Sequence, residues 1–243
     1  MQSKIQKLIA NPHKYLGKYF KRKYAEAPYP LQYYNELLDE LTGQSGVVFH
    51  PFQHRDSSEN DINVFIRHDI DRTECIENFD QLVELNTQHG LPSALFFLVN
   101  DRTYELAAYK EKVLAARAAG AEIGLHTECY RIDDFMGEFH RETKRFEEVL
   151  GFRPESFTVH GLGKREDIRQ QFYDALSEDF SSTGYHFTDC ISGFRTYDYV
   201  IEDCHQGPGA KGRFIYTDFK KLPKFLKPGD NLLILTHPCY WKP

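Results

Sequence analysis

The most constraining feature of this chain is a rhythm. Three stretches with helical spacing, about residues 74–89, 104–119 and 133–150, each stop at a glycine: Gly90, Gly120 and Gly151. An apolar run follows each one, at residues 93–99, 121–125 and 156–159. A glycine directly after a helix suits the left-handed position that ends it. Successive apolar runs lie about 30 residues apart, the length of one strand–helix–strand unit. The alternation predicts an α/β fold with a mostly parallel sheet. No internal sequence similarity accompanies the period.

A fourth run precedes these three and ends in charge. In the stretch NVFIRHDIDR (residues 63–72), Asp69 and Asp71 stand two apart. On a strand they project to one side, and His68 and Ile70 to the other. Two neighbouring carboxylates repel each other unless a cation or a shared proton compensates, which points to a metal site. His126, His160 and His237 each stand at the C-terminal end of a different apolar run. In parallel α/β sheets those ends face one side, where active sites assemble. Taken singly, an aspartate after a strand is often the cap of the next helix, and a strand-end histidine is often a structural hydrogen-bonding group. Four such coincidences at one edge favour a site.

The remaining chain is read more coarsely. Residues 1–30 are rich in Lys and Arg and read as a partly helical basic arm, packed outside the domain or touching an acidic membrane surface. Residues 31–42 predict a short amphipathic helix stopped by Gly43, and the polar stretch 53–61 leads into the first strand. Residues 1–60 are therefore taken as an N-terminal extension and 61–243 as the main domain. Beyond residue 178, short β-prone runs (TYDYVIED, RFIYTDF) lie among Gly and Pro, and a last buried strand, NLLILTHP, follows the turn KPGD. This third is expected to join the same sheet. HGLGK, from His160, lacks the spacing of a phosphate-binding loop and reads as a turn, and the mixed charges around RETKR read as a solvated helix face.

Composition narrows the function classes. A net charge of −6 gives no basic footprint for nucleic acid. The 19 Phe and 15 Tyr suggest that some aromatic rings line a cleft. No apolar run approaches the roughly 20 residues of a membrane span, and the start lacks the apolar core of a secretory signal. Five cysteines, none in a Cys-x-x-Cys pair, suit reduced thiols and a cytoplasmic setting.

The motifs VFIRHDIDR, GAEIGLHTE, GFRPESFTVHG and LLILTHP, in this order and spacing, resemble the polysaccharide deacetylase (NodB-type carbohydrate esterase) family. The resemblance spans about residues 63–241 and is greatest to a divergent branch associated with surface-polysaccharide (O-antigen or capsule) biosynthesis. It implies a distorted, incomplete (β/α) barrel and a divalent metal, usually zinc. Carried over by motif, Asp69 is the catalytic base and Asp71 a metal ligand. His126 is the first histidine of a His-Ser/Thr-x-x-His motif, with Thr127 in second place. His237 is the acid, Leu235 the apolar wall for an acetyl methyl, and Asp203 the partner that orients His237. The chain departs from the family where Tyr130 replaces the motif's second histidine, and tyrosine is a poor zinc ligand at neutral pH. The missing ligand is then His160, on the neighbouring strand end, or Cys129; otherwise the metal is lost. Tyr130 itself is placed with Asp203 and Leu235 as a substrate-facing group.

The resemblance implies hydrolysis of an N-acyl group, N-acetyl first, from a nucleotide- or lipid-linked sugar. A formyl group is an alternative, and a non-catalytic relative that binds a glycan or a protein is another. No nucleic-acid partner is expected.

Overall fold

The computed structural model describes residues 28–100, 102–161, 166–191, 193–204, 207–208, 214–216 and 225–243. Its axis is β3 (Ile62–Ile70), buried along its whole length. β2 (Val47–His50) and then β4 (Ala94–Phe97) pair with successive halves of one edge of β3, and β11 (Asn231–Thr236) takes the other edge, all in parallel. The sheet continues from β4 through β5 (Glu122–Thr127) and β6 (Ser156–Val159) to β7 (Phe187–Thr188). Beyond β11 it continues through β8 (Tyr199–Glu202) and β10 (Phe214–Tyr216) to β9 (Gly207–Pro208). Among the described residues, only β9 runs antiparallel, against β10. The sheet curls into a half-barrel whose end strands, among the described residues, do not meet: a distorted, incomplete (β/α) barrel.

Strict alternation along the strands divides the core. Phe65, Leu233, Leu235, Val200 and Tyr197 fill the concave side, and Phe52, Ala94, Phe96 and Phe187 continue it. The convex side carries Val64, Ile66, Leu232 and Ile234, covered by α1 (Leu31–Thr42) and Trp241. Further along, Ile70, Leu95, Phe97, Ile123, Leu125 and Phe157 lie under α2 (Thr73–Gln88), α3 (Lys110–Ala118), α4 (Phe135–Leu150) and α5 (Glu166–Glu178). Burying each such side chain contributes roughly 1.5–3 kcal/mol. Two-residue strands, β1 (Tyr29–Pro30) and β12 (Trp241–Lys242), pair in parallel and tie the start of α1 to the end of the chain.

The expected rhythm is present. Gly90, Gly120 and Gly151 have φ of 68°, 97° and 82°, the left-handed region in which glycine ends a helix at least cost. The KPGD turn forms, with Lys227 N–H donating to the Asp230 carboxylate at 2.9 Å. The helical stretch expected over residues 104–119 begins later than its spacing suggested. Residues 106–109 form a 3-10 turn, and α3 starts only at Lys110. Tyr104 explains the delay: its hydroxyl accepts from Leu98 N–H (2.8 Å) and donates to the Ile70 carbonyl (2.7 Å), pinning the chain before a helix can start. β2 had no counterpart in the sequence reading. The basic arm as far as residue 27, most of the HGLGK turn and the flanks of RFIYTDF lie outside the described residues. No helix among the described residues is long and apolar enough to cross a membrane.

Candidate metal centre

Asp71 is the first residue beyond β3. The residue that caps α2 is Arg72, so the Asp71 carboxylate is not used as a helix cap. It points instead into a ring of imidazoles. Asp71 Oδ1 lies 3.2 Å from His126 Nε2, and Oδ2 lies 3.2 Å from His160 Nε2 and 3.4 Å from His237 Nε2. Each histidine comes from a different strand end, as parallel strands ending at one edge require.

Behind each imidazole stands an oxygen that fixes its orientation. His126 Nδ1 meets Thr158 Oγ1 at 2.7 Å, directly across from it on β6. His160 Nδ1 donates to Glu128 at 2.7 Å, and His237 Nδ1 donates to Asp203 at 2.6 Å. An ionised carboxylate only accepts, so the last two rings carry their proton on Nδ1 and direct Nε2 at Asp71. Glu128 is itself held by Arg131 (2.8 Å), Arg102 and Asn100. Asp203 also accepts from the His237 backbone N–H (2.6 Å) and from the Trp241 indole (2.8 Å).

Asp69 lies beside this ring, inside β3 and 3 % exposed. Arg67, two residues earlier on the same face, grips both its oxygens at 2.7 and 2.6 Å and binds Asp189 at 2.8 Å with its remaining amine. Asp69 Oδ2 reaches to 3.6 Å from His126 Nε2. Burial raises the Asp69 carboxyl, but the Arg67 guanidinium outweighs it and holds the group below the usual carboxylate range. Burial likewise acts to raise Asp71, and the three imidazoles facing its carboxylate reverse this strongly, holding the group below the usual carboxylate range. For His237, burial acts to lower the imidazole, and the charge of Asp203 overrides it, so its value stands well above the ordinary one.

A divalent ion fits this donor set. Asp71 Oδ1 and His126 Nε2 are buried without a hydrogen-bond partner, an arrangement that costs free energy unless a further group satisfies them. Asp71, His126 and His160 offer one donor atom each, all within 4.8 Å of one another. One carboxylate and two imidazoles backed by oxygen acceptors make a three-ligand set of the zinc type with an open position.

The sequence-predicted residues fall as follows. Asp69, Asp71, His126, His160 and His237 converge at one edge of the sheet, with Asp203 behind His237. Cys129 does not join them: its side chain is buried in the helix-side core, where burial drives its thiol upward. Tyr130 is buried beneath His160, and its hydroxyl donates to the His160 carbonyl at 3.0 Å. Leu235 pairs with Arg67 across the strands and packs on the concave side with Phe65 and Leu233. Arg67, Asp189, Thr158 and Glu128 were not anticipated. Arg67 was legible, because period two puts it on the face of Asp69. Glu128 was not, because the chain leaves β5 at Thr127 and strand alternation no longer applies.

No family model matches the chain, and no curated protein matches it. Among solved structures it is similar to IcaB from Ammonifex degensii (14% identity, TM-score 0.47, covering 85% of this chain and 94% of that one). It is also similar to the polysaccharide deacetylase Bc1974 from Bacillus cereus (13%, TM-score 0.41, 73% and 79%). A third is a mutant of BA3943, described as a CE4 family pseudoenzyme with restored enzymatic activity (11%, TM-score 0.42, 80% and 62%).

Proposed function

We propose that this chain is a metal-dependent amide hydrolase that removes an N-acyl group, N-acetyl first, from a sugar used in surface-polysaccharide biosynthesis. One observation carries the reading. A half-buried aspartate whose buried Oδ1 has no partner is surrounded by oriented imidazoles, between an ionised carboxylate on one side and a carboxylate-backed histidine on the other.

In this reading Asp71, His126 and His160 hold a divalent ion, zinc by donor type. When bound, such an ion supplies Lewis acidity toward an amide carbonyl and makes a nearby water more acidic. Asp69 takes the proton of the attacking water, and Arg67 keeps its carboxylate ionised and fixed in place. His237, kept protonated by Asp203, delivers a proton to the departing amine. Acid and base roles of this kind each contribute about 10²–10⁴-fold in rate. Leu235 and the concave aromatic rings supply apolar surface for the acyl methyl. Tyr130 acts through His160, whose backbone it holds. The same reading makes the substrate a nucleotide- or lipid-linked glycan met in the cytoplasm, with the basic N-terminus available to an acidic membrane surface.

The test is release of acid from matched N-acetylated and N-formylated nucleotide-linked sugars by zinc-loaded protein. Acetate release supports the reading. Formate release alone would make the chain a deformylase working with the same residues. Metal binding with no release from either would leave a glycan- or protein-binding module.

A further inference from the structure

His237 takes part in a second cluster besides the ring around Asp71. Asp203, Cys204 and His237 each offer one donor atom that can ligate a metal, all within 4.8 Å of one another. Two neighbouring strands bring them together. Asp203 and Cys204 directly follow β8, His237 directly follows β11, and the two strands pair in parallel. Asp203 Oδ1 lies 2.6 Å from His237 Nδ1, and both residues are buried. Cys204 is exposed, and its thiol donates to Glu202 Oε1 at 2.8 Å. The other four cysteines are buried or half-buried, so Cys204 is the thiol that an ion in solution meets first. A sulfur open to solvent therefore stands beside the buried histidine that faces Asp71.

We propose that Asp203, Cys204 and His237 form a second divalent-metal site, zinc by donor type, whose occupation inhibits the Asp71 centre. A thiolate, an imidazole and a carboxylate are all zinc ligands, whereas calcium and magnesium take oxygen. The sulfur sets this site apart from the Asp71 centre, whose donors are oxygen and nitrogen. On binding, the Cys204 S–H bond breaks, its proton passes to water and the sulfur's electron pair goes to the ion. The ion's double charge offsets the negative charge gathered by the thiolate, Asp203 and Glu202. The second site fills after the first, because its donors are already paired: Cys204 with Glu202, and His237 with Asp203. In the Asp71 centre two donor atoms have no partner. An imidazole nitrogen whose lone pair is given to a metal carries no proton, so the second ion takes His237 out of its role as acid. The inhibition rests on the hydrolase reading; the binding site does not.

Full-length reduced protein is titrated with cobalt(II), a spectroscopic stand-in for zinc, and bound metal is counted by equilibrium dialysis. Only a sulfur ligand gives a sulfur-to-cobalt charge-transfer band, so the band reports the second site alone. The expected result is about two ions per chain at saturation, with the band rising on the second. Cys204→Ser should keep the first ion and lose the band. His160→Ala should lose the first ion and keep the band. Turnover of an N-acetylated nucleotide-linked sugar should fall about 10²-fold or more between one and two equivalents of zinc, and not in Cys204→Ser. Absence of the band, or a band unchanged in Cys204→Ser, overturns the site. A Cys204-dependent band with undiminished turnover at two equivalents overturns the inhibition. If no turnover is found at any zinc level, the hydrolase reading fails, while the band and its loss in Cys204→Ser still decide the site.

Discussion

Asp69 and Asp71 are two residues apart with the same side chain, yet their neighbours give them different tasks. Both oxygens of Asp69 are taken up by Arg67, whereas Asp71 keeps one oxygen without a partner. Substituting Asp69→Asn removes the negative charge opposite Arg67 and leaves Asp71, His126 and His160 untouched. Metal content should therefore stay at the wild-type level while turnover falls about 10²–10⁴-fold. Turnover within a few-fold of wild type would remove Asp69 from the role of base.

His237 and Asp203 make a prediction in pH. The folded His237 value is raised, so its protonated form persists above the ordinary imidazole value of about 6.5, and the alkaline limb of kcat/KM reports its loss. Asp203→Asn removes the charge that outweighs burial, so that limb should move to lower pH. The stability from the pair is fully present below about pH 6.5 and is lost as pH rises through the folded value. Unfolding midpoints should show Asp203→Asn costing more in mildly acidic than in alkaline buffer. An unmoved alkaline limb would contradict the assignment of His237 as the acid.

At the scale of elements, β5 carries the tightest constraint. Gly124 stands two residues before His126 on the concave face, and a Cβ there would overlap the Phe96 ring and lie 2.9 Å from the Ser156 carbonyl. Backbone cannot move aside as a side-chain tip can, so Gly124→Ala should cost about 1–3 kcal/mol, measured by denaturant unfolding, and weaken metal binding by displacing His126. A neutral effect would mean that β5 and β6 separate easily.

The other side of β5 meets α4, where Glu142 accepts from the Thr127 hydroxyl beside the site. Burial pushes the Glu142 carboxyl up to about 7. Its folded value exceeds its unfolded one, so the stability tied to its proton is fully present in acid and is lost as pH rises through about 7. Glu142→Gln should raise the melting temperature by about 2–4 °C per kcal/mol gained at alkaline pH, and by less in acid. A uniform change across pH would show that the carboxyl does not titrate in this window.

Across the whole molecule, sequence pattern led to the parallel sheet and to the edge where the site assembles. Period-two alternation put Asp69 with Asp71, and the strand-end positions of His126, His160 and His237 foretold one side. The pattern did not reach groups whose partners lie far along the chain. Asp189 meets Arg67 only because the sheet curls, and Glu128 meets His160 only because a 3-10 turn follows β5. Tyr104 delayed a helix through contacts with β3 and β4 that local propensity does not register.

Because the proposed ligands stand on β5 and just beyond β3 and β6, an ion bound to them would tie the sheet together. Zinc at about 100-fold over its dissociation constant should add about 2.7 kcal/mol to folding, visible as a rise in melting temperature that a chelator reverses.

The most direct test is elemental analysis of wild type and His160→Ala, both purified without chelator. The proposed centre predicts about one zinc, or a similar divalent ion, per wild-type chain and its loss in the variant. Equal metal in both would move the third ligand away from His160. No metal in the wild type, even after zinc is added back, would contradict the central claim that Asp71, His126 and His160 form a metal centre.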